Sequence, residues 1–511
     1  AGLEAAGFGL PQTTLVVTPV IALYAMAAGL VITTIAAVFP AIRATRVPPI
    51  AALRDVSIDR AGRSWIRGIA GVVFLLLGIV LVLPAFGEDP TSEVIPGVGM
   101  GLLLLIIAVL VSGPIIATPV ARVVGSPLPR IKGITGTLSR QNAMRSPRRT
   151  ASTASALIIG VALVSFITVF ASSAQKSVNS AIGNGFKGDY IILPINQFTF
   201  SGASPELGTQ LAEIDGVETV TAVGIGLGQL ELPNGEKPNS VISGIDTATF
   251  PEVFSVRMAD GTLGDLTDDG IIVDAAVAKD QDLSIGDKIN VVAPGDRTKE
   301  LEVQALGDDP ALLGSWTVTR NTIDDLSAEP SDYQLGLVAS PGTDVAALRQ
   351  PIKDVLKDYP TMKVQDREEF TSGIVSSIST LLNVIYALLA VSIIIALIGI
   401  ANTLSLSIHE RTKELGLLRA VGMTRSQLRS SVRWEATIVA LMGTVIGIAL
   451  GLALSYAMVK ALASQGITEF AVPVSGMVTV VIFGAGLGIL ASVRPARKAA
   501  KLNVLDAIAS E

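Results

Sequence analysis

The sequence predicts an α-helical membrane protein with about seven spans and an inserted α+β extracytoplasmic domain. Three observations carry this. Half of the 511 residues are hydrophobic and only 16% are charged, whereas soluble chains carry about a quarter charged residues. Several apolar runs reach the roughly 18–20 residues that cross a hydrocarbon core. Between the fourth and fifth runs lies a long polar stretch whose short alternating segments read as strands.

The expected spans are Leu15–Val38 (closed by Pro40), Ile69–Phe86, Val98–Val120 (with Pro114 and Pro119 near its end), Ala154–Ala171, Leu381–Asn402, Ala436–Val459 and Val474–Val493. Positive charge orients them. Segments 40–68, 121–150, 404–434 and 494–511 hold 23 of the 38 Lys and Arg, and the short loops 87–97 and 461–473 hold none. Seven alternating spans put all four basic segments on one side, the cytoplasm. The organisation that follows is 1–68, a span with a basic tail; 69–120, two spans; 121–150, a cytosolic lead-in; and 151–175, a span. After the external domain at 176–372 come a span (373–404), a cytosolic elbow (405–434), two spans (435–493) and a cytosolic tail (494–511).

In the external region acids outnumber bases, which suits solubility and gives no reason to expect nucleic acid. Tyr190–Leu193, Val241–Ile245, Ile271–Val273, Lys288–Ala293, Leu301–Leu306 and Gln334–Ala339 read as strands, and Asp344–Leu356 as a helix. The flanking helices outrun the bilayer, the fourth through Gln175–Ile182 and the fifth from near Ser372, and such a pair would form a stalk.

The organising stretch is the elbow, Ile408 to Glu435. Leu415, Leu418 and Val421 make one apolar side. Gly422 is placed to end a helix in the left-handed conformation glycine tolerates, and Thr424 with Gln427 forms a capping box for the next helix. A bare connection needs only a few residues; this one is long and ordered. Its Glu-Arg-x-x-Glu-Leu-Gly-Leu-Leu-Arg-Ala-Val-Gly run, Glu410 to Gly422, resembles the coupling region of FtsX-like, MacB-type ABC transporter permeases, the family that includes the lipoprotein-releasing LolC and LolE. The segments Ile271–Asp274 and Ile285–Ile289 resemble the extracytoplasmic domain of the MacB type, and Arg140–Ala151 the lead-in to the second half. The resemblance implies an ATPase-coupling set of Glu410, Arg411, Glu414, Leu415, Gly416, Leu418, Arg419, Gly422 and Glu435. It also implies a dimeric cytosolic ABC ATPase as partner and a bacterial plasma-membrane location.

Pro40-Ala-Ile-Arg43-Ala44-Thr-Arg46-Val47, with Ile50, Ala52 and Leu53 beyond, matches Pro495-Ala-Arg-Lys498-Ala499-Ala-Lys501-Leu502, with Leu505, Ala507 and Ile508, at a constant offset of 455 residues. Duplication is the economical reading. Large members of the family have two four-helix halves joined by two helices, so the chain reads as lacking part of the first half.

No catalytic constellation stands out. There is no cysteine and one histidine, His409, which reads as a surface residue in preference to a proton switch. No Gly-x-x-x-x-Gly-Lys-[Ser/Thr] loop is present to cradle a nucleotide, so no cofactor is expected here and ATP–Mg falls to the partner. Asp265, Asp268 and Asp269 lack the alternating spacing of a calcium loop. Glu410 and Glu414 are expected on one helix face, a like-charge pair costing a few tenths of a kcal/mol that a partner's basic groove or the neighbouring Arg411 and Lys413 would relieve. Glu435 reads as an interfacial charge that still reaches water. Gly443, Gly447 and Gly451 form a ridge for close packing, within the chain or between copies. No buried charge or broken-helix pair marks a solute path. Membrane lipids are expected around the spans, and outside them a hydrophobic or amphiphilic client (peptide, lipid or lipoprotein). The alternative, as the resemblance to FtsX implies, is a cell-wall hydrolase activated without transport.

Overall fold

The computed structural model describes residues 19–45, 65–87, 94–195 and 202–500. Residues 1–68 and 69–511 are separate compact units. In the first, α1 (Pro19–Thr45) runs through Pro40 instead of closing before it. The chain's last helix likewise runs through Pro495. A proline removes one helical hydrogen bond, a defect that apolar spans tolerate when local geometry adjusts. The tails on which the repeat rests, 46–53 and 501–508, lie outside the described residues.

Leading into the second unit is α2 (Trp65–Val82), followed by α3 (Val94–Val124), the polar α4 (Leu128–Arg145) and the 39-residue α5 (Pro147–Gly185). Pro114 and Pro119 lie inside α3, which runs four residues past its expected end at Val120. Among the described residues seven helices, α4 not among them, are long and apolar enough to cross a membrane.

The external domain is built on one long strand. Its strands are β1 (Tyr190–Pro194), β2 (Val217–Glu231), β3 (Asn239–Ile245), β4 (Met258–Asp260), β5 (Gly270–Asp274), β6 (Lys288–Ala293), β7 (Arg297–Gly307), β8 (Trp316–Thr319), β9 (Asp332–Ala339) and, after helix α6 (Val345–Val355), β10 (Met362–Asp366). The order is β10-β1-β9-β2-β3-β8-β5-β7-β4, with β6 bridging β2 and β7. The circuit β2-β3-β8-β5-β7-β6 therefore closes on itself as a six-stranded barrel. Leu230, Ile242, Ile271, Val273, Ile289, Leu301, Val303 and Trp316 fill it. The other half of β2 pairs with β9 in an open sheet. Leu207 and Leu211 of the helix Glu206–Ala212, and Leu348 and Ile352 of α6, cover that sheet.

The sequence reading missed β2, because Gly224, Gly226 and Gly228 look like strand breakers. Two of them have a packing reason. A Cβ on Gly226 would meet Ile323 Cδ1 at 2.9 Å and one on Gly224 Ile323 Cγ2 at 3.2 Å, and Gly244, which pairs with Gly224 on β3, is closer still to Ile323. The glycines thus let the helix Arg320–Leu326 lie directly on the strands.

No linker separates domain from stalk. The cap residue of α7 (Arg367–Glu410) is Asp366, the last residue of β10, and it forms a capping box with Glu369. Arg349 of α6 grips both carboxylates, at 3.3 Å to Asp366 Oδ2 and 2.7 Å to Glu369 Oε2. Ile182 and Phe186 at the top of α5 share a core with Phe250 and Phe254, and Phe370 and Ile374 of α7 pack against it. Below, α7 runs 44 residues, α8 (Thr412–Ala420) makes the elbow, and α9 (Arg425–Ala461) and α10 (Val474–Ala500) complete the bundle.

Candidate coupling site

The elbow is assembled from local signals that work as the residues suggest. In α8 the amide N–H of Gly422 donates to Arg419 O at 3.1 Å and that of Met423 to Leu418 O at 3.0 Å. With Gly422 at φ +111°, this pair of bonds is a Schellman ending. Thr424 and Gln427 then cap α9 reciprocally. Leu415 is buried and Leu418 packs beside it, in a core with Ile408, Leu428, Val432, Ala496 and Ala499. Val421 is not on that side: the helix stops at Ala420 and the turn carries Val421 outward, 81% exposed, near Leu417 at 60%. Gly416 is buried within α8.

Glu410 and Glu414 do not share a helix face. The backbone breaks at Arg411 (φ −105°, ψ +18°), so Glu410 ends α7 and Glu414 belongs to α8. Their charges are met by the lead-in, 260 residues away. Arg149 Nη1 lies 3.7 Å from Glu410 and Arg145 Nη1 3.2 Å from Glu414, while Arg411 Nε donates to Glu414 Oε2 at 3.0 Å. Burial raises the Glu414 pKa, but the Arg411 hydrogen bond and charge, with Arg145 behind them, hold it below the ordinary carboxylate range.

Glu435 does not reach water. It sits ten residues inside α9, 8% exposed. Arg411 Nη1 approaches at 3.5 Å, Arg149 Nη2 at 3.8 Å, and Asn142 Nδ2 donates at 3.5 Å. This corrects the expectation of no buried charge. Ser139 Oγ adds a hydrogen bond to Ser431 O at 2.9 Å, so α4 and α9 are pinned beside the cluster. A cavity of about 330 Å³ opens between α4, α7, α8 and α9, with Asn142, Arg145, Arg411, Glu414 and Glu435 in its wall. Asn142, Arg145 and Arg149 were missed as site residues, although the lead-in motif that contains them was legible.

Two stretches match family models: residues 386–504 an FtsX-like permease C-terminal region, and residues 150–355 a MacB-like periplasmic core domain. The chain is an ABC transporter permease of the FtsX/MacB type. The permease is 26% identical over 396 residues to the macrolide export ATP-binding/permease protein MacB of Photorhabdus laumondii, covering 71% of this chain and 58% of that one. It is 33% identical over 133 residues to the ABC transporter permease YtrF of Bacillus subtilis, covering 24% and 30%. Its external domain aligns with the crystal structure of the periplasmic region of MacB from Actinobacillus actinomycetemcomitans at 14% identity and TM-score 0.31, over 39% of this chain and 97% of that one. The permease thus spans between about a fifth and three-fifths of the length of the curated relatives it matches. It is a multi-pass membrane protein with an extracytoplasmic domain.

The remaining expected residues fall in the bundle, at its cytosolic end, or, for the aspartates, in the external domain. Gly443, Gly447 and Gly451 face α5: Cβ atoms there would meet Ala154 O at 3.4 Å, Ile158 O at 3.0 Å and Ala162 O at 2.6 Å. The two helices therefore draw closer toward the outer side. A second ridge went unread. Gly484 and Gly488 of α10 face Thr444 and Ala440 on the adjoining face of α9. His409 Nε2 stands 2.8 Å from Lys498 Nζ, so the ring accepts there from the ammonium. Asp265 closes a capping box with Thr262, and Asp268 accepts from Thr319 and Asn321.

Proposed function

We propose that this permease couples ATP hydrolysis by a separate dimeric cytosolic ATPase to motion of its external domain. ATP–Mg would be held in that partner, and this chain would catalyse nothing. The observation that supports the reading most is the Arg411 cluster. It ties the elbow, the start of α5 and the inner end of α9 into one charged knot, while α7 leaves that knot and runs without a proline to β10. A partner gripping α8 would meet Leu417 and Val421, two exposed apolar side chains beside the ion pairs. A push there would be delivered along α7 into the sheet. The client would be hydrophobic or amphiphilic, exported or released at the outer face.

The test is co-purification with the ATPase, using Leu417→Asp/Val421→Asp, which touches no residue of the ion-pair cluster. Partner binding should weaken at least ten-fold, as for apolar anchors at an interface, with unchanged thermal melting of the permease alone. Undiminished binding would sink the assignment of α8 as the docking element.

A further inference from the structure

The cytoplasmic face holds two groups of cations with opposite fates. Arg145, Arg149 and Arg411 are matched by Glu410, Glu414 and Glu435. At the other end of α4, Arg130 and Lys132 are exposed, as are Arg122 at the end of α3 and Arg433 on α9. No carboxylate among the described residues pairs with any of these four.

The exposed group is built around a protruding tip. All of Arg130, Ile131, Lys132, Gly133 and Ile134 are exposed, with Ile131 at 67% and Ile134 at 80%. Gly133 breaks the helix there (φ +56°, ψ −130°), a conformation open only to glycine at low cost. Its place holds the two isoleucines out, with open space around the glycine. The tip is also anchored. Lys132 Nζ lies 5.9 Å from the centroid of Trp434, a cation–π distance. Trp434 itself packs against the core cluster that includes Ala117, Ala121 and Leu128, where the apolar run of α9 begins and that of α3 ends.

We propose that this tip is a membrane-surface anchor for anionic phospholipid of the cytoplasmic leaflet. Ile131 and Ile134 enter the boundary between headgroups and acyl chains. Arg130, Lys132 and Arg433 face lipid phosphates, and Trp434 supplies the interfacial aromatic. Two features of the tip select this occupant. The apolar side chains sit between cations, the pattern of a segment lying in the interface plane. The unmatched charge lies beside two span ends, where a negative surface attracts juxtamembrane Lys and Arg. Simple cytoplasmic bias of positive charge accounts for the cations but not for two isoleucines held in water by a glycine kink.

The chain has no cysteine, so Ile134→Cys and Val421→Cys can each carry a single environment-sensitive fluorophore. The full chain is placed in nanodiscs of phosphatidylcholine, with or without phosphatidylglycerol. Lipids bearing a headgroup-level quencher should dim the label at Ile134 and spare that at Val421, more strongly when phosphatidylglycerol is present. In parallel, phosphatidylglycerol retention by Arg130→Gln, Lys132→Gln and Arg433→Gln should fall about five-fold per lost cation, with melting unchanged. Quenching indifferent to phosphatidylglycerol overturns the headgroup assignment. So does an Ile134 label as open to a water-soluble quencher as the Val421 label. Shielding of Ile134 only when a protein partner is added makes the tip a protein interface and also overturns the proposal.

Discussion

Arg411 Nη1 lies 3.5 Å from Glu435 Oε2, with the two side chains 16% and 10% exposed. This contact crosses from the break after α7 to the inner end of α9, and Arg411 reaches Glu414 with its Nε as well. One guanidinium thus joins three helices.

Removing one partner of a buried pair costs about 3–5 kcal/mol, because the other charge is stranded. Glu435→Ala should therefore lower the melting temperature of the purified permease by several degrees. Arg411→Ala combined with it should cost less than the sum of the single changes, by more than about 0.5 kcal/mol. Strictly additive losses would show that the two residues do not act as a pair.

The α5–α9 seam predicts opposite signs for the same substitution. Gly451→Ala would drive a methyl to 2.6 Å from Ala162 O, and Gly447→Ala to 2.8 Å from Val161 Cβ. Both should destabilise, by about 1–3 kcal/mol, as overpacked sites do. Gly399→Ala on α7 meets nothing within 4 Å and should be neutral or gain up to about 1 kcal/mol from helix propensity. Thermal melts of the three variants in one detergent decide it.

Glu414 supplies a pH dependence. Its pKa in the folded protein is lowered, so its contribution to stability is present above the unfolded-state value and is lost as pH falls through the folded one. The melting difference between wild type and Glu414→Gln should be present at neutral pH and close on acidification. The effect is modest, since the carboxylate is 45% exposed and its ion pairs are screened. A gap that widens in acid would contradict the ion-pair geometry.

On the outer side, the loop between α9 and α10 lies along α5. The amides of Glu469 and Ala471 donate to Ser177 Oγ at 2.9 Å and Ser173 Oγ at 3.0 Å, and Lys176 reaches Glu469 at 3.2 Å. The spacing fits: four helical residues rise about 6 Å and two extended residues about 6.6 Å. Ser173→Ala and Ser177→Ala should each speed hydrogen exchange of the matching amide about five-fold, the worth of a hydrogen bond near 1 kcal/mol. Unchanged exchange would mean that the loop is not held by these serines.

Local signals were the legible ones. The Schellman glycine, the Thr424 cap, the spans and six of the strands each depend on residues within a few positions of one another. The resemblance of the elbow added the family. Glu435 was misread because its partners, Asn142 and Arg149, stand nearly 300 residues earlier, and burial by distant chain leaves no mark in local spacing. Glu410 and Glu414 were misread because an i,i+4 rule assumes an unbroken helix, and nothing local announces the break at Arg411. β2 was hidden by glycines whose purpose, seating Ile323, is tertiary.

The length of α7 has a mechanical consequence. At 44 residues it is about 66 Å long, with its first turn clamped by Arg349 and its last by the charges around Arg411. A rod of that length rotated by about 5° about one end sweeps its other end through about 6 Å, more than the spacing between neighbouring strands. A pivot of that size at the cytosolic end would displace β10 by about a full strand width, the amplification coming from leverage alone.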